Sequence, residues 1–204
     1  EIKNLASDPA HANRIAEMRK ALRKQMIAIR DTAVVPEPLF KSVSGDKAIA
    51  TAVSAKDFPF EQLLDLAFLA SSRDEKNLPV LQKAASSKDP VIRYWGLSGL
   101  VTLGEKAAPA KDILTKALTD SETINRAQAA HALYRIGSKD LSLKTLIDGL
   151  NDESLPNLDQ ALIVNTLMQM RETKAVPESW IKRAKKSKGG NPRLGTLAES
   201  LKLL

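Results

Sequence analysis

The sequence contains no cysteine among its 204 residues. Disulfides, thiolate metal sites and cysteine nucleophiles are therefore excluded, although this absence does not fix the cellular compartment. Aromatic residues make up only 4% of the chain, whereas alanine and leucine are abundant. No apolar run approaches the roughly 20 residues that span a bilayer, so we expect no membrane segment. This composition favours an all-helical array over a β-sandwich or barrel.

Excess positive charge is scarce over most of the chain, although the net formal charge is +7. Residues 180–204 contain seven Lys or Arg and one acidic residue, which gives +6 there and leaves +1 for residues 1–179. A protein that grips nucleic acid needs a cationic groove. The sequence predicts a basic tail instead, so nucleic acid is not the favoured partner.

A repeat with a spacing of 33 residues organises the chain. The segment DPVIRYWGLSGLVTLG at 89–104 aligns with DSETINRAQAAHALYRIG at 120–137. Apolar positions recur at helical spacing in each copy, and a glycine closes each helix. Small residues at matching positions, Gly96 and Gly99 against Ala129 and Ala132, would let neighbouring helices approach and share a core. This period predicts stacked helix pairs.

The rest of the chain fits around that repeat. Ser7 or Asp8 is expected to cap an amphipathic helix with a stripe of Ile15, Met18, Leu22, Met26 and Ile29. Prolines interrupt the connecting segment 32–58, which holds a short helix near 46–54. Besides the two aligned segments, the predicted helices are Phe60–Ser71, Asn77–Ser87, Glu105–Thr119, Ser138–Asn151, Asp159–Met170, Trp180–Lys186 and a capping helix over Asn191–Leu204.

The predicted fold is therefore all-α. Residues 59–204 are expected to form a HEAT-like helical repeat array, a right-handed α-α superhelix, with its capping helix at the C-terminal end. Residues 1–58 are expected to form the amphipathic helix and linker that precede it.

Two segments resemble a known family. The opening E-x-x-NLA-x-DP, the amphipathic helix and Asp31 followed by Pro36-Glu37 resemble the end of the catalytic module of arylsulfatase-type sulfatases. FPFEQLLDLA at 58–67 and the block DPVIRYWGLSGL are similar to the HEAT-like extension found behind that module in many bacterial sulfatases. Because the chain opens at Glu1 without methionine, we expect it to be a cut or processed piece of a longer protein.

The resemblance implies a non-catalytic C-terminal domain whose parent is a sulfuric ester hydrolase, periplasmic or secreted. Family members use a nucleophile in a C/S-x-P/A-x-R motif beside a calcium ion. The nearest matches, Ser7–His11 and Ser154–Leu158, lack the arginine. No catalytic, cofactor-binding or metal residue is carried over, and calcium is expected only in the catalytic module. Implied partners are that module, a second copy of the chain or a sulfated polysaccharide.

Four charged residues, Asp89, Arg93, Asp120 and Arg126, recur at matching places in the two copies. An Asp before a helix can cap it and bind the Arg of the neighbouring repeat, which predicts a structural Asp/Arg ladder. The other interpretation is a ligand-contacting role. The two histidines, His11 and His131, lie on predicted helices without a second ligand at metal-site spacing, so a surface or partly packed position is favoured over a metal or catalytic role.

Two further groups have both a structural and an interaction interpretation. Tyr94 and Trp95 point about 100° apart on a helix, so one can enter the core while the other stays at an edge, or the pair can form a docking spot. The basic run Lys182, Arg183, Lys185, Lys186 and Lys188 is either a solvated face or a polyanion contact.

Two functions of different class follow. In the first, the chain is the helical-repeat extension of a sulfatase, which packs on or scaffolds the catalytic module or mediates protein interaction; it then leaves the N-terminal stripe partly bare. In the second, the chain is a stand-alone HEAT-repeat module that binds a protein or a polyanion such as nucleic acid or sulfated glycan. A continuous positive surface along the inner helices would favour the second.

Overall fold

A computed structural model describes residues 4–6, 8–186 and 192–201, and these residues form helices and turns without a β-strand. The all-α class is therefore confirmed. Contacts divide the chain into two compact units, Glu1–Asp65 and Leu66–Leu204. The division falls inside a helix, a few residues after the sequence-based boundary at 58/59.

The first unit begins with a capped helix. The Asp8 carboxylate accepts a hydrogen bond from the Ala10 N–H and starts a 3₁₀ turn at Pro9–His11, while Ser7 lies outside the described residues. Helix α1 then runs over Ala12–Ile29 and ends at Arg30, whose φ of 51° is left-handed. The helices that follow are α2 (Phe40–Ser44), α3 (Ile49–Val53) and the first part of α4 (Phe60–Ser71).

The connecting segment 32–58 is more ordered than its prolines suggested. Pro36 and Pro38 start a 3₁₀ turn at Glu37–Leu39 that continues into α2, which the sequence interpretation missed. Proline is compatible with a first helical turn because the N–H it lacks has no partner there. Four side chains of this segment are buried: Val34, Val35, Leu39 and Val53.

The second unit contains the remaining helices in chain order. They are α5 (Leu78–Ala85), α6 (Pro90–Leu103), α7 (Lys111–Ala117), α8 (Thr123–Arg135), α9 (Lys139–Asn151), α10 (Asn157–Gln169), α11 (Glu178–Lys186) and α12 (Pro192–Ser200).

One predicted helix is replaced by two elements. The segment Glu105–Thr119 forms a 3₁₀ stretch over Gly104–Ala110 and then the short α7. Pro109 lies inside the 3₁₀ stretch, where it removes a backbone donor and prevents a continuous α-helix. Gly104 adopts a φ of 63° at the end of α6, as expected of a closing glycine.

The helices that carry the repeat pack against one another. Helix α6 packs against α5 and α8, and α8 in turn packs against α9 and α10. One apolar cluster joins α5 to α8 and includes Leu81, Leu97, Leu100 and Leu133. A second cluster joins α8 to α12 around Trp180, which is completely buried. The repeat therefore aligns helices that are neighbours in space.

Glycines on α6 allow this close packing. A Cβ atom added at Gly96 would lie 2.3 Å from the Ala85 nitrogen, and one at Gly99 would lie 2.3 Å from a Leu81 methyl carbon. Their counterparts on α8, Ala129 and Ala132, are fully buried. Small residues at these positions thus set the distance between α6 and α5.

We predict that Gly96→Ala lowers the free energy of unfolding by about 2–3 kcal/mol, because the new methyl group meets backbone atoms that cannot turn aside. Gly149→Ala is the matched control. Its Cβ would meet only the Ile163 δ-methyl at 2.8 Å, a side-chain end that can rotate. Urea unfolding followed by far-UV circular dichroism should separate the two; equal losses would contradict this interpretation of Gly96.

Candidate functional site

In the Asp/Arg ladder, Asp89 and Asp120 lie in the turns before α6 and α8, and Arg93 and Arg126 lie in the first turns of those helices. The Asp89 carboxylate accepts hydrogen bonds from the N–H groups of Val91 (2.8 Å) and Ile92 (3.0 Å) and so caps α6. The Arg93 guanidinium donates to both carboxylate oxygens of Asp120, at 2.6 Å from Nε and 3.0 Å from Nη2. Both side chains are largely buried, with 17% of Arg93 and 6% of Asp120 exposed.

Arg126 departs from the expected ladder. Its Nη1 donates to the carbonyl oxygens of Asp120 (2.7 Å) and Ser121 (3.1 Å), and its Nη2 donates to the Thr123 hydroxyl; among the described residues it has no carboxylate partner at hydrogen-bond distance. The Thr123 hydroxyl in turn donates to the Asp159 carboxylate at 2.9 Å. A side-chain hydrogen bond between α8 and α10 is therefore made by Thr123, a residue that the sequence analysis did not single out.

One side-chain role recurs in three helices, α6, α8 and α10. Arg93 Nη1 donates to the carbonyl oxygens of Ser87 (3.0 Å), six residues before it, and Lys88 (2.9 Å), five residues before it. Arg126 makes the same pair of contacts, and Gln160 Nε2 donates to the Leu155 carbonyl at 2.6 Å, five residues before it. In each of these helices a side chain in the first turns donates to one or two carbonyls of the preceding turn.

The sequence contained a signal for this role. Gln160 follows Arg126 at a spacing of 34 residues, one more than the spacing of 33 that relates Arg93 to Arg126. The change from arginine to glutamine hid the equivalence. Gln160 also accepts a hydrogen bond from the buried Trp180 indole N–H at 2.7 Å, so it joins α10 to α11 as well.

The Asp120 carboxylate is held in its charged form. Burial by itself would raise its pKa, but the hydrogen bonds from Arg93, from the Glu122 N–H and from Asn125, with the charge of Arg93, together lower the pKa below its ordinary value. Asn125 is fully buried and donates to the Pro90 carbonyl at 3.2 Å, which links α8 to the start of α6.

Tyr94 and Trp95 share an edge of α6. Their ring centroids are 5.0 Å apart, and the ring planes are inclined to each other by 74°, an edge-to-face arrangement. Both side chains are half-buried, and Trp95 packs against the α5–α8 apolar cluster. Burial raises the pKa of Tyr94, and its hydrogen bond with Ser98 partly opposes this. The structure therefore places Trp95 against the core and Tyr94 beside it.

The basic run on α11 is partly engaged by protein groups. Arg183 donates to the Leu150 carbonyl at 2.7 Å and lies 3.3 Å from the Glu153 carboxylate. Lys182 lies 3.4 Å from Glu178 one turn away. Lys185 lies on the same helix, whereas Lys188 and the side chain of Lys186 fall outside the described residues. The two pairs reduce the positive field that α11 could offer a polyanion.

The N-terminal stripe on α1 is open over much of its length. Met18, Leu22 and Ile29 are 62%, 52% and 59% exposed. On the side of α1 that faces α4, Arg23 donates to the carboxylates of Asp65 (2.7 Å) and Glu61 (3.1 Å).

Beside the Arg93–Asp120 pair lies a cleft of about 570 Å³. It opens between the C-terminal ends of α5 and α7, and both members of the ion pair line it. Its volume is in the range of small-ligand and peptide sites.

The described residues show neither a metal-binding cluster nor a membrane-spanning helix. The described residues contain no cluster of three or more His, Asp or Glu side chains that could hold a metal ion. Burial and the nearby charge of Arg135 lower the pKa of His131, which lies on α8. None of the described helices combines the length and apolar character that crossing a bilayer requires.

Comparisons of the chain with protein-family models, with curated proteins and with solved structures found no match.

We predict that Arg93→Gln is more destabilising than Arg126→Gln. The first change leaves the largely buried Asp120 carboxylate without its cation and should cost about 2–3 kcal/mol of unfolding free energy. The second keeps a donor for the turn carbonyls, as Gln160 does naturally, and should cost about 1 kcal/mol or less. Chemical unfolding of both variants checks this; a reversed order would contradict the assigned contacts.

A second prediction concerns the stability that Asp120 contributes at acidic pH. Since the folded-state pKa of Asp120 is lowered, its stabilising contribution is complete above the unfolded-state pKa of about 4 and disappears as pH falls through the folded-state value. Asp120→Asn should therefore be less stable than the wild-type protein at neutral pH, and the difference should shrink below about pH 4. Urea midpoints measured across this range test it, and a constant difference would be the contrary result.

Proposed function

We propose that the chain is a non-catalytic helical-repeat extension of a sulfatase-type hydrolase, which packs on or scaffolds the catalytic module. The exposed stripe on α1 carries this proposal. The sulfatase resemblance runs through the stripe, and Met18, Leu22 and Ile29 form an apolar face that another surface would have to cover. Location in the periplasm or outside the cell, and calcium in the catalytic module, are parts of the same proposal.

The setting of α1 within the first unit supports a docking role. Arg23 binds two acidic residues of α4, and Arg30 donates to the carbonyls of Val53 (2.9 Å) and Ala55 (2.8 Å) while its guanidinium lies 4.9 Å from the Phe60 ring centre. These contacts fix α1 through two arginines and leave Met18, Leu22 and Ile29 exposed. The apolar side is then displayed on a fixed element, which lowers the entropic cost of docking.

We further propose that the second unit is a HEAT-like array with right-handed superhelical stacking. Three features support this: the spacing of 33 residues, the contacts of α6 with α8 and of α8 with α10, and the turn-carbonyl bonds repeated by Arg93, Arg126 and Gln160. Such an array buries its apolar faces between neighbouring repeats and offers a rigid scaffold.

The sulfatase part is tested on the complete gene product. We expect the residues encoded before Glu1 to contain a C/S-x-P/A-x-R motif. The complete protein should hydrolyse an aryl sulfate such as 4-nitrophenyl sulfate, and the 204-residue chain alone should not. A complete coding sequence without the motif, or a product without sulfatase activity, would refute the proposal.

The docking part is tested by Leu22→Gln, with Lys24→Gln on the opposite face of α1 as the matched control. In the 204-residue chain both changes alter surface residues and should shift stability by less than about 0.5 kcal/mol. In the complete protein Leu22→Gln should cost about 1–2 kcal/mol, because leucine burial is lost. Equal effects of the two variants in the complete protein would contradict docking through the stripe.

A further inference from the structure

We propose that the cleft between α5 and α7 is a binding site for an extended peptide segment that inserts one apolar side chain. The inference rests on the cleft alone and does not depend on the sulfatase relationship. Its volume of about 570 Å³ can hold a side chain together with the backbone on either side of it.

The cleft combines an apolar surface with hydroxyl groups. Ala85 and Ala117 are buried, and the half-buried Ile113 lines the same space. Ser86, Thr119 and Ser121 line it as well. The Thr119 hydroxyl already donates to the Lys116 carbonyl at 3.0 Å and is left to accept, whereas the Ser86 and Ser121 hydroxyls can donate or accept hydrogen bonds, as a peptide backbone requires. An apolar surface with a few polar groups is the usual composition of a site that binds an apolar side chain and orients its backbone.

Charge distinguishes this cleft from an anion site. Arg93 already donates to Asp120 and to two carbonyl oxygens, so its guanidinium is committed to the protein. Asp112 and Lys116 lie one turn apart on α7, both exposed and both lining the cleft. They offer one negative and one positive contact. A segment with a basic and an acidic residue on either side of its apolar residue matches that rim.

The shape of the cleft is set by groups that do not have to move when a peptide binds. From the first turn of α6, Arg93 binds the turn carbonyls that follow α5 and the Asp120 carboxylate that precedes α8, and both Arg93 and Asp120 line the cleft. Because the pair is largely buried and bonded on both sides, it holds the ends of α5 and α7 at a fixed separation. A preformed site reduces the ordering cost that a peptide ligand must overcome.

The probe for this site is acetyl-Lys-Leu-Glu-amide, titrated into the ¹⁵N-labelled chain and followed by amide chemical shifts. We expect saturable shifts at Ser86, Ile113, Ala117 and Ser121. Acetyl-Lys-Gly-Glu-amide should bind roughly tenfold more weakly, since it lacks the buried side chain. Asp112→Asn should weaken the leucine probe about two- to fivefold, and the exposed Asp140→Asn on α9 should leave it unchanged.

A blocking variant gives the decisive comparison. Ser86→Tyr fills the cleft from its edge and should abolish the saturable shifts, whereas Thr115→Tyr, exposed on α7 outside the cleft lining, should not change them. Equal thermal midpoints of the two variants would show that neither fold is damaged. The proposal is overturned if no saturable shift occurs, if the glycine probe binds equally well, if Ser86→Tyr has no effect, or if a sulfated disaccharide moves the same amides in preference to the peptide.

Discussion

Carbonyl oxygens at the turns between helices set the main constraint on the second unit. A helix leaves its last carbonyls without intrahelical partners, and burying such groups without a hydrogen bond is costly. Here the side chains of Arg93, Arg126 and Gln160 reach back to the turn before their own helix. The helices can therefore pack closely while the turns between them remain satisfied.

This constraint also decides which side chains remain available to bind a partner. The charged residues that recur in the repeat are used inside the fold, where Arg93 and Asp120 bind one another and Asp89 caps α6. The features left to face a partner are of another kind. One is the exposed apolar stripe on α1. The other is a cleft lined by alanine side chains, by side chains with hydroxyl groups and by the charged pair Asp112 and Lys116. Both suit recognition of protein surfaces better than recognition of a polyanion.

Much of the helical pattern could be predicted from the sequence. Helix α4 has the predicted bounds Phe60–Ser71, since apolar spacing and the preceding proline define it. The helix α2 and the 3₁₀ stretch at Gly104–Ala110 were missed, because proline marks both a helix start and a helix break and only packing decides between them. The cleft could not be predicted, because it brings together residues from two turns that no single-segment pattern relates.

The central claim is that arginines of the repeat are fixed by turn carbonyls and by Asp120. Nuclear magnetic resonance of the arginine guanidinium groups at neutral pH tests it most directly. The account predicts separate, slowly exchanging Nη proton signals for Arg93 and Arg126, because their rotation is blocked by hydrogen bonds, and averaged signals for the exposed Arg19. Averaged, rapidly exchanging signals for Arg93 and Arg126 would contradict it.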